Sequence, residues 1–202
     1  MTPDDIGTTS RLRRQLALVV EADRLKRVLR RTLVTDSSRN ENSAEHSWHL
    51  ALAAMTLAEH AGRGVDIERV MRMVVVHDLV EIDAGDTFVY DTDALARKED
   101  LERQAADRLF ALIPGDEGSR LRAAWDEYEA ATTPEARFAH SIDRLAPLLL
   151  NHANHGELWQ EYELTSDRVL TMNARIEQGS PDLWQAAQTL LRDAIRNGWL
   201  AE

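Results

Sequence analysis

His77 and Asp78 stand side by side in the stretch VVVHDLVEIDAGD (74–86), and Glu81 follows three residues later. An imidazole and a carboxylate are two good ligands for a divalent metal. Ile67, Val70, Met71, Val74, Val75 and Leu79 recur at helical spacing, which predicts a helix over about 66–81. On such a helix His77 and Glu81 are i and i+4, and Asp78 and Glu81 are i and i+3, so the three gather on one face. Burying three titratable groups beside valines is costly unless something neutralises them, and a metal does so. The plainer alternative is a helix end whose polar residues are leaving the core. Partner ligands elsewhere in the chain decide between the two.

Two candidates exist. His46 falls in the first turn of a helix that Asn42 is placed to cap, with Glu45 three residues on as a capping box and Gly62 and Gly64 as stop signals. His49, one turn further, is expected as a supporting or packing residue, and His60 as a polar helix end. Asp143 lies between Ile142 and Leu145, close to the buried face of a helix running from Pro134 to about His152. An aspartate there needs a partner, either an arginine such as Arg144 or a metal. Asp86, beside Gly85, is either a turn residue or a further carboxylate facing the site.

The remaining elements must hold these residues in place. Scarce Gly and Pro (9 and 5 of 202 residues) with 44% apolar and 29% charged residues favour an all-α protein of one domain. Helices are expected over about 8–31, with Thr8 or Thr9 as cap, and over 94–113, 116–131, 165–177 and 181–197. Residues 35–42 are expected as a loop, and Pro147 as a kink. The polar knot of Asn151, His152, Asn154 and His155 reads as a helix end that could rim a pocket. Trp184 and Trp199 read as core or dimer contacts.

The net charge of −11 argues against a general nucleic-acid binder. Even so, residues 11–39 hold nine basic side chains against three acidic ones. Most belong to a solvated face, but Arg30, Arg31 and Arg39 flank the loop before His46, where a guanidinium could hold an anion. With no cysteine, any metal site must use His, Asp and Glu. The polar N-terminus and the lack of a long apolar run predict no membrane partner and a cytoplasmic location.

The order His46, His77-Asp78, Asp143 resembles that of the HD-domain metal-dependent phosphohydrolases. RNENSAEH (39–46), HDLVEIDAGD (77–86) and ARFAHSIDRL (136–145) are similar to the deoxynucleoside 5′-monophosphate nucleotidases of that family. The resemblance covers about residues 12–159. It implies an all-α HD-domain bundle, with a metal-binding core over about 12–160 and C-terminal helices over about 165–197. It implies one divalent metal ion per chain (Mn, Co, Zn, Fe or Mg), held by His46, His77, Asp78 and Asp143. Glu81 matches the catalytic carboxylate and Asp86 a second acidic residue near the reacting water. Arg31 and Arg39 match substrate-contacting arginines. The expected substrate is a small phosphorylated molecule, a nucleotide, and the expected assembly a homodimer joined by apolar C-terminal helices.

One departure stands out. Thr32 and Leu33 follow Arg31 where the bacterial nucleotidases place a tryptophan, so sugar preference stays open. A nucleoside triphosphate or cyclic nucleotide remains an alternative substrate, and a non-catalytic metal- or nucleotide-binding protein an alternative of another class. Some HD-domain proteins are dinuclear and oxidise their substrates with extra histidines. Between Asp78 and Asp143 this chain has only His140, which favours one metal and hydrolysis.

Overall fold

α7 (Pro134–Ala153) is the axis of the fold. Thr133 caps it by accepting from Ala136 N at 3.2 Å, and Pro134 fills the first helical position, where no N–H is needed. Eleven of its twenty residues are buried, more than one apolar stripe, because helices pack on it from several sides. These are α2 (Ser43–Thr56), α3 (Ile67–Val76), α6 (Gly115–Ala130), α10 (Ile176–Gly179) and α11 (Pro181–Arg196). Leu50, Val70, Met73, Val74, Phe138, Ala139 and Ile142 meet in the core with at most 1% exposure. Each larger side chain among them contributes about 1.5–3 kcal/mol by leaving water. Pro147 does not end the helix, which continues to Ala153.

The computed structural model describes residues 10–202, and of 92–96 the backbone only. The expected cap at Thr8 or Thr9 lies outside these residues. Before α2 come α1 (Ser10–Ala22), a 3-10 turn at Asp23–Arg27, and an antiparallel hairpin of β1 (Leu29–Leu33) and β2 (Asn40–Asn42). The helix expected over 8–31 therefore stops at Ala22, and the loop expected over 35–42 ends in a strand. The reason is local. Val28, Thr32, Val34 and Thr35 are β-branched and favour extended backbone, and β2 supplies the hydrogen-bond partners. The helix expected over 66–81 is α3, then a 3-10 turn at His77–Val80, then α4 (Glu81–Ala84).

α5 (Thr92–Phe110) and α6 fall close to expectation. Residues 165–177 form α9 (Ser166–Asn173) and part of α10 rather than one helix, and α8 (Glu157–Glu161) was not expected. α10 lies so close to α7 that a Cβ on Gly179 would sit 2.2 Å from Arg137 O, so glycine is required there. Leu183, Ala187, Leu191 and Ala194 of α11 are buried within the chain itself, with Trp184 and Trp199 packed against the same core. The C-terminal apolar face expected to join two copies is thus used internally. Among the described residues, no helix is long and apolar enough to cross a membrane.

Candidate metal centre

His46, the His77-Asp78 pair and Asp143 arrive on three different elements. The Asn42 capping box starts α2: Asn42 Oδ1 accepts from Glu45 N at 3.0 Å, and Glu45 Oε1 accepts from Asn42 N at 2.8 Å. That fixes Ser43 and His46 in the first turn. His46 is fully buried. Its Nε2 lies 3.0 Å from Asp143 Oδ1, and its Nδ1 lies 3.2 Å from Oε2 of Glu41, on β2. His77, in the tighter turn after α3, sets its Nδ1 2.9 Å from Val74 O, so Nδ1 donates there and Nε2 is the nitrogen left to face a metal. Asp143 Oδ2 accepts from Tyr128 OH at 3.0 Å.

One ligand atom from each of His46, His77 and Asp143 falls within 4.8 Å of the others. Asp78 adjoins this group. Its Oδ1 is 3.0 Å from His77 Nε2, while its Oδ2 accepts from Arg30 Nη1 at 3.1 Å. Asp143 pairs with the histidines and Tyr128, not with Arg144.

Glu81 and Asp86 line the same cavity, of about 330 Å³, as His77, Asp78 and Asp143. That volume is at the lower end for small-molecule sites, about 300–1,000 Å³. Glu81 is buried, and its Oε2 accepts from Ser43 Oγ at 2.6 Å. Burial, then the charge of Asp78, push its pKa up to about 9. Burial works against a charged His77, yet Asp78 and its neighbours raise that pKa to about 9. Burial also raises the pKa of Asp86.

These shifts show a concentration of negative charge that draws protons in, which a divalent cation would relieve. The residues fit such an ion. His77 Nε2 is a buried nitrogen that makes no well-aligned hydrogen bond, although the Asp78 carboxylate lies 3.0 Å away. The donors are nitrogen and oxygen only, a set that accepts Mn²⁺, Fe²⁺, Co²⁺, Zn²⁺ or Mg²⁺.

The arginines sort by strand alternation. Arg30 and Thr32 face inward on β1, and Arg31 is exposed at the cavity rim. The Arg30 side chain is 14% exposed, with Nη1 also 3.7 Å from Asp86 Oδ1 and Nε 3.5 Å from Glu41 Oε2. Arg39 is not among the lining residues. It forks onto Glu45 at 2.5 and 3.0 Å and so braces the capping box. His49 also lies outside the lining, stacked beside Trp48, and His60 is a helix end facing Asp182. Of the polar knot, only Asn151 lines the cavity.

Glu41 was given no role from the sequence, and Arg30 was named only as one of three arginines that could hold an anion. Their signal was the alternation of a strand, hidden when 8–31 is taken as helix. A carboxylate behind a ligand imidazole holds its tautomer and raises its basicity. Glu41→Gln is therefore expected to weaken divalent-metal binding about 10–100-fold. Competition against a fluorescent chelator reads this directly, and an unchanged affinity would assign Glu41 to packing alone.

A family model for the HD domain matches residues 22–184. The chain is 29% identical over 129 residues to the 5′-deoxynucleotidase HDDC2 of Danio rerio, covering 63% of each protein. It is 29% identical over 126 residues to the 5′-deoxynucleotidase HDDC2 of Homo sapiens, covering 62% of this chain and 60% of that one. The match thus spans less than two thirds of these curated relatives. A crystal structure described as a predicted metal-dependent phosphohydrolase, from Magnetospirillum magnetotacticum MS-1, is 51% identical with a TM-score of 0.92, covering 96% of this chain and 97% of that one. With the family pattern running from the last residue of α1 into α11, and the histidines and aspartates gathered around α7, the chain belongs to the HD-domain family.

Proposed function

We propose that the protein is a metal-dependent phosphohydrolase that removes the 5′-phosphate from nucleoside monophosphates. One observation carries it: His46, His77 and Asp143 bring ligand atoms within 4.8 Å of one another, and two of them, His77 and Asp143, line a cavity with Glu81 and Arg30. The names of the relatives support the substrate class. His46, His77, Asp143 and Asp78 would hold one divalent ion, Asp78 through Oδ1 while Oδ2 stays on Arg30. Bound there, the ion supplies Lewis acidity at a phosphoryl oxygen, a water of lowered pKa and a charge that favours ionised carboxylates.

Arg30 has guanidinium N–H groups left over after its carboxylates, and these bind phosphate oxygens, with Arg31 at the rim. Arg39 supports the site through α2 and does not touch the substrate. Glu81, steadied by Ser43, takes a proton from the attacking water. The new O–P bond forms, the P–O5′ bond breaks, and the departing oxygen collects a proton. Asp86, which lines the same cavity, is the group placed to supply it. The side chain at position 32 is a threonine, but Phe88, Tyr90 and Trp159 in the lining offer apolar surface for a nucleoside.

The test is phosphate release from ribo- and deoxyribonucleoside 5′-monophosphates, triphosphates and cyclic nucleotides by metal-loaded protein. Monophosphates should be the best substrates. A panel in which they are the poorest would move the assignment to another phosphoester.

We also propose a homodimer, through α2. Trp48, Leu52 and Met55 are 66%, 43% and 53% exposed and share one helix face. Sedimentation should give twice the chain mass at micromolar concentration, and Trp48→Glu should halve it. A monomer mass for the unaltered protein would end this proposal.

A further inference from the structure

Several arginines in this acidic chain have carboxylate partners. Arg11 pairs with Asp116, Arg69 with Glu127, Arg108 with Asp83 and Glu21, and Arg122 with Asp107 and Asp126. Arg30 is surrounded by three carboxylates. Arg144 and Arg175 differ. Both line the cavity that holds Asp78, Glu81 and Asp143, and neither has an ion pair among the described residues. Arg175 is exposed in the turn between α9 and α10, where solvent satisfies a cation. Arg144 is half-buried, and its Nη1 is shut off from solvent without an acceptor. A guanidinium N–H in that position calls for one.

The two charges act on the same neighbourhood. His140, one turn before Arg144 on α7, sets its Nε2 2.8 Å from Tyr128 O. Burial first, and then Arg175 and Arg144 against that contact, lower its pKa to about 4. Arg144 and Arg168 likewise lie near the Tyr90 hydroxyl, and Arg168 donates to Tyr90 O at 2.8 Å. On α7, His140, Arg144, Leu148 and Asn151 form one stripe that lines the cavity, continuous with Asp143. The cavity thus has a carboxylate-rich region beside the ligand histidines and a second, cationic region around Arg144.

We infer that Arg144 and Arg175 form a second anion-binding subsite, so that the preferred substrates carry another anionic group besides the phosphate that is removed. The inference rests on the phosphohydrolase reading and narrows its substrate class. A nucleoside 3′,5′-bisphosphate is the simplest such molecule. A neutral base placed there would accept hydrogen bonds but leave the half-buried Arg144 charge without a counter-charge. A phosphate accepts from a guanidinium through two parallel bonds and neutralises it.

The test compares adenosine 5′-monophosphate with adenosine 3′,5′-bisphosphate on the metal-loaded protein. The unaltered protein should prefer the bisphosphate about ten-fold or more in kcat/KM, mainly through KM. In Arg144→Gln and Arg175→Gln that ratio should fall towards one, whatever happens to either substrate alone. Arg144→Lys, which keeps the charge, should retain part of it. Calorimetric binding of both nucleotides is measured in parallel, with circular dichroism to confirm folding. A ratio near one in the unaltered protein, in turnover and in binding, would overturn the subsite. So would a ratio that both glutamine variants leave intact. If neither nucleotide is hydrolysed but the bisphosphate binds more tightly in an Arg144-dependent way, the subsite stands and the hydrolase assignment falls.

Discussion

Replacing His46 or Asp143 with alanine is expected to remove the bound metal and the activity together. His46 is fully buried between Asp143 and Glu41, so no neighbouring side chain can swing in to take its place. Asp143 bridges the two histidines, at 3.0 Å from His46 Nε2 and 4.0 Å from His77 Nε2. Loss of either leaves the remaining donors too few to hold an ion against water. A bound ion supplies several kcal/mol of transition-state stabilisation, so kcat/KM should fall at least about a thousand-fold. Metal content by mass spectrometry should fall in step. A variant that keeps its metal but loses activity would show that the missing side chain acts on the substrate instead.

Glu81→Gln should give the opposite pattern, with metal retained and turnover reduced about 10²–10⁴-fold. Glutamine keeps an oxygen to accept from Ser43 Oγ but cannot take a proton from water. The fold should not suffer in metal-free protein at neutral pH. An acid whose pKa is raised in the folded state costs stability above its unfolded pKa, because the unfolded chain has ionised while the folded one must hold the proton. Glu81, pushed up to about 9 by burial and Asp78, is such a group, so the neutral variant should melt no lower than the parent. Turnover within a few-fold of the parent would remove Glu81 from the proton-transfer role.

The helices that carry His46 and Asp143 were legible because their signals are local. The Asn42–Glu45 capping box fixes where α2 begins and hence where His46 points, and both its hydrogen bonds are present. Thr133-Pro134 fixes the start of α7 in the same way. What could not be read was the choice of arginine. In a helix over 8–31, Arg30 and Arg31 are neighbours on an exposed face. In a strand they point to opposite sides, and Arg30 becomes the buried partner of Asp78. That strand exists because β2 pairs with it, a contact invisible to local periodicity.

Glu41 was hidden for the same reason, since its role depends on the imidazole it backs across the hairpin. Arg39 illustrates the converse. Its position beside the first motif is as expected, but Glu45 occupies its guanidinium. The face proposed for the dimer also had to come from packing. Whether α11 or α2 stays exposed is decided by α7, which covers the first and leaves Trp48 out.

The most direct measurement is anomalous diffraction from crystals of the full chain loaded with Mn²⁺ or Zn²⁺, collected either side of the metal's absorption edge. The expected result is one strong peak per chain within coordination distance of His46 Nε2, His77 Nε2, Asp143 and Asp78 Oδ1, absent in His46→Ala. A peak seated elsewhere, or none in crystals whose protein carries metal in solution, would contradict a metal centre built from these four side chains.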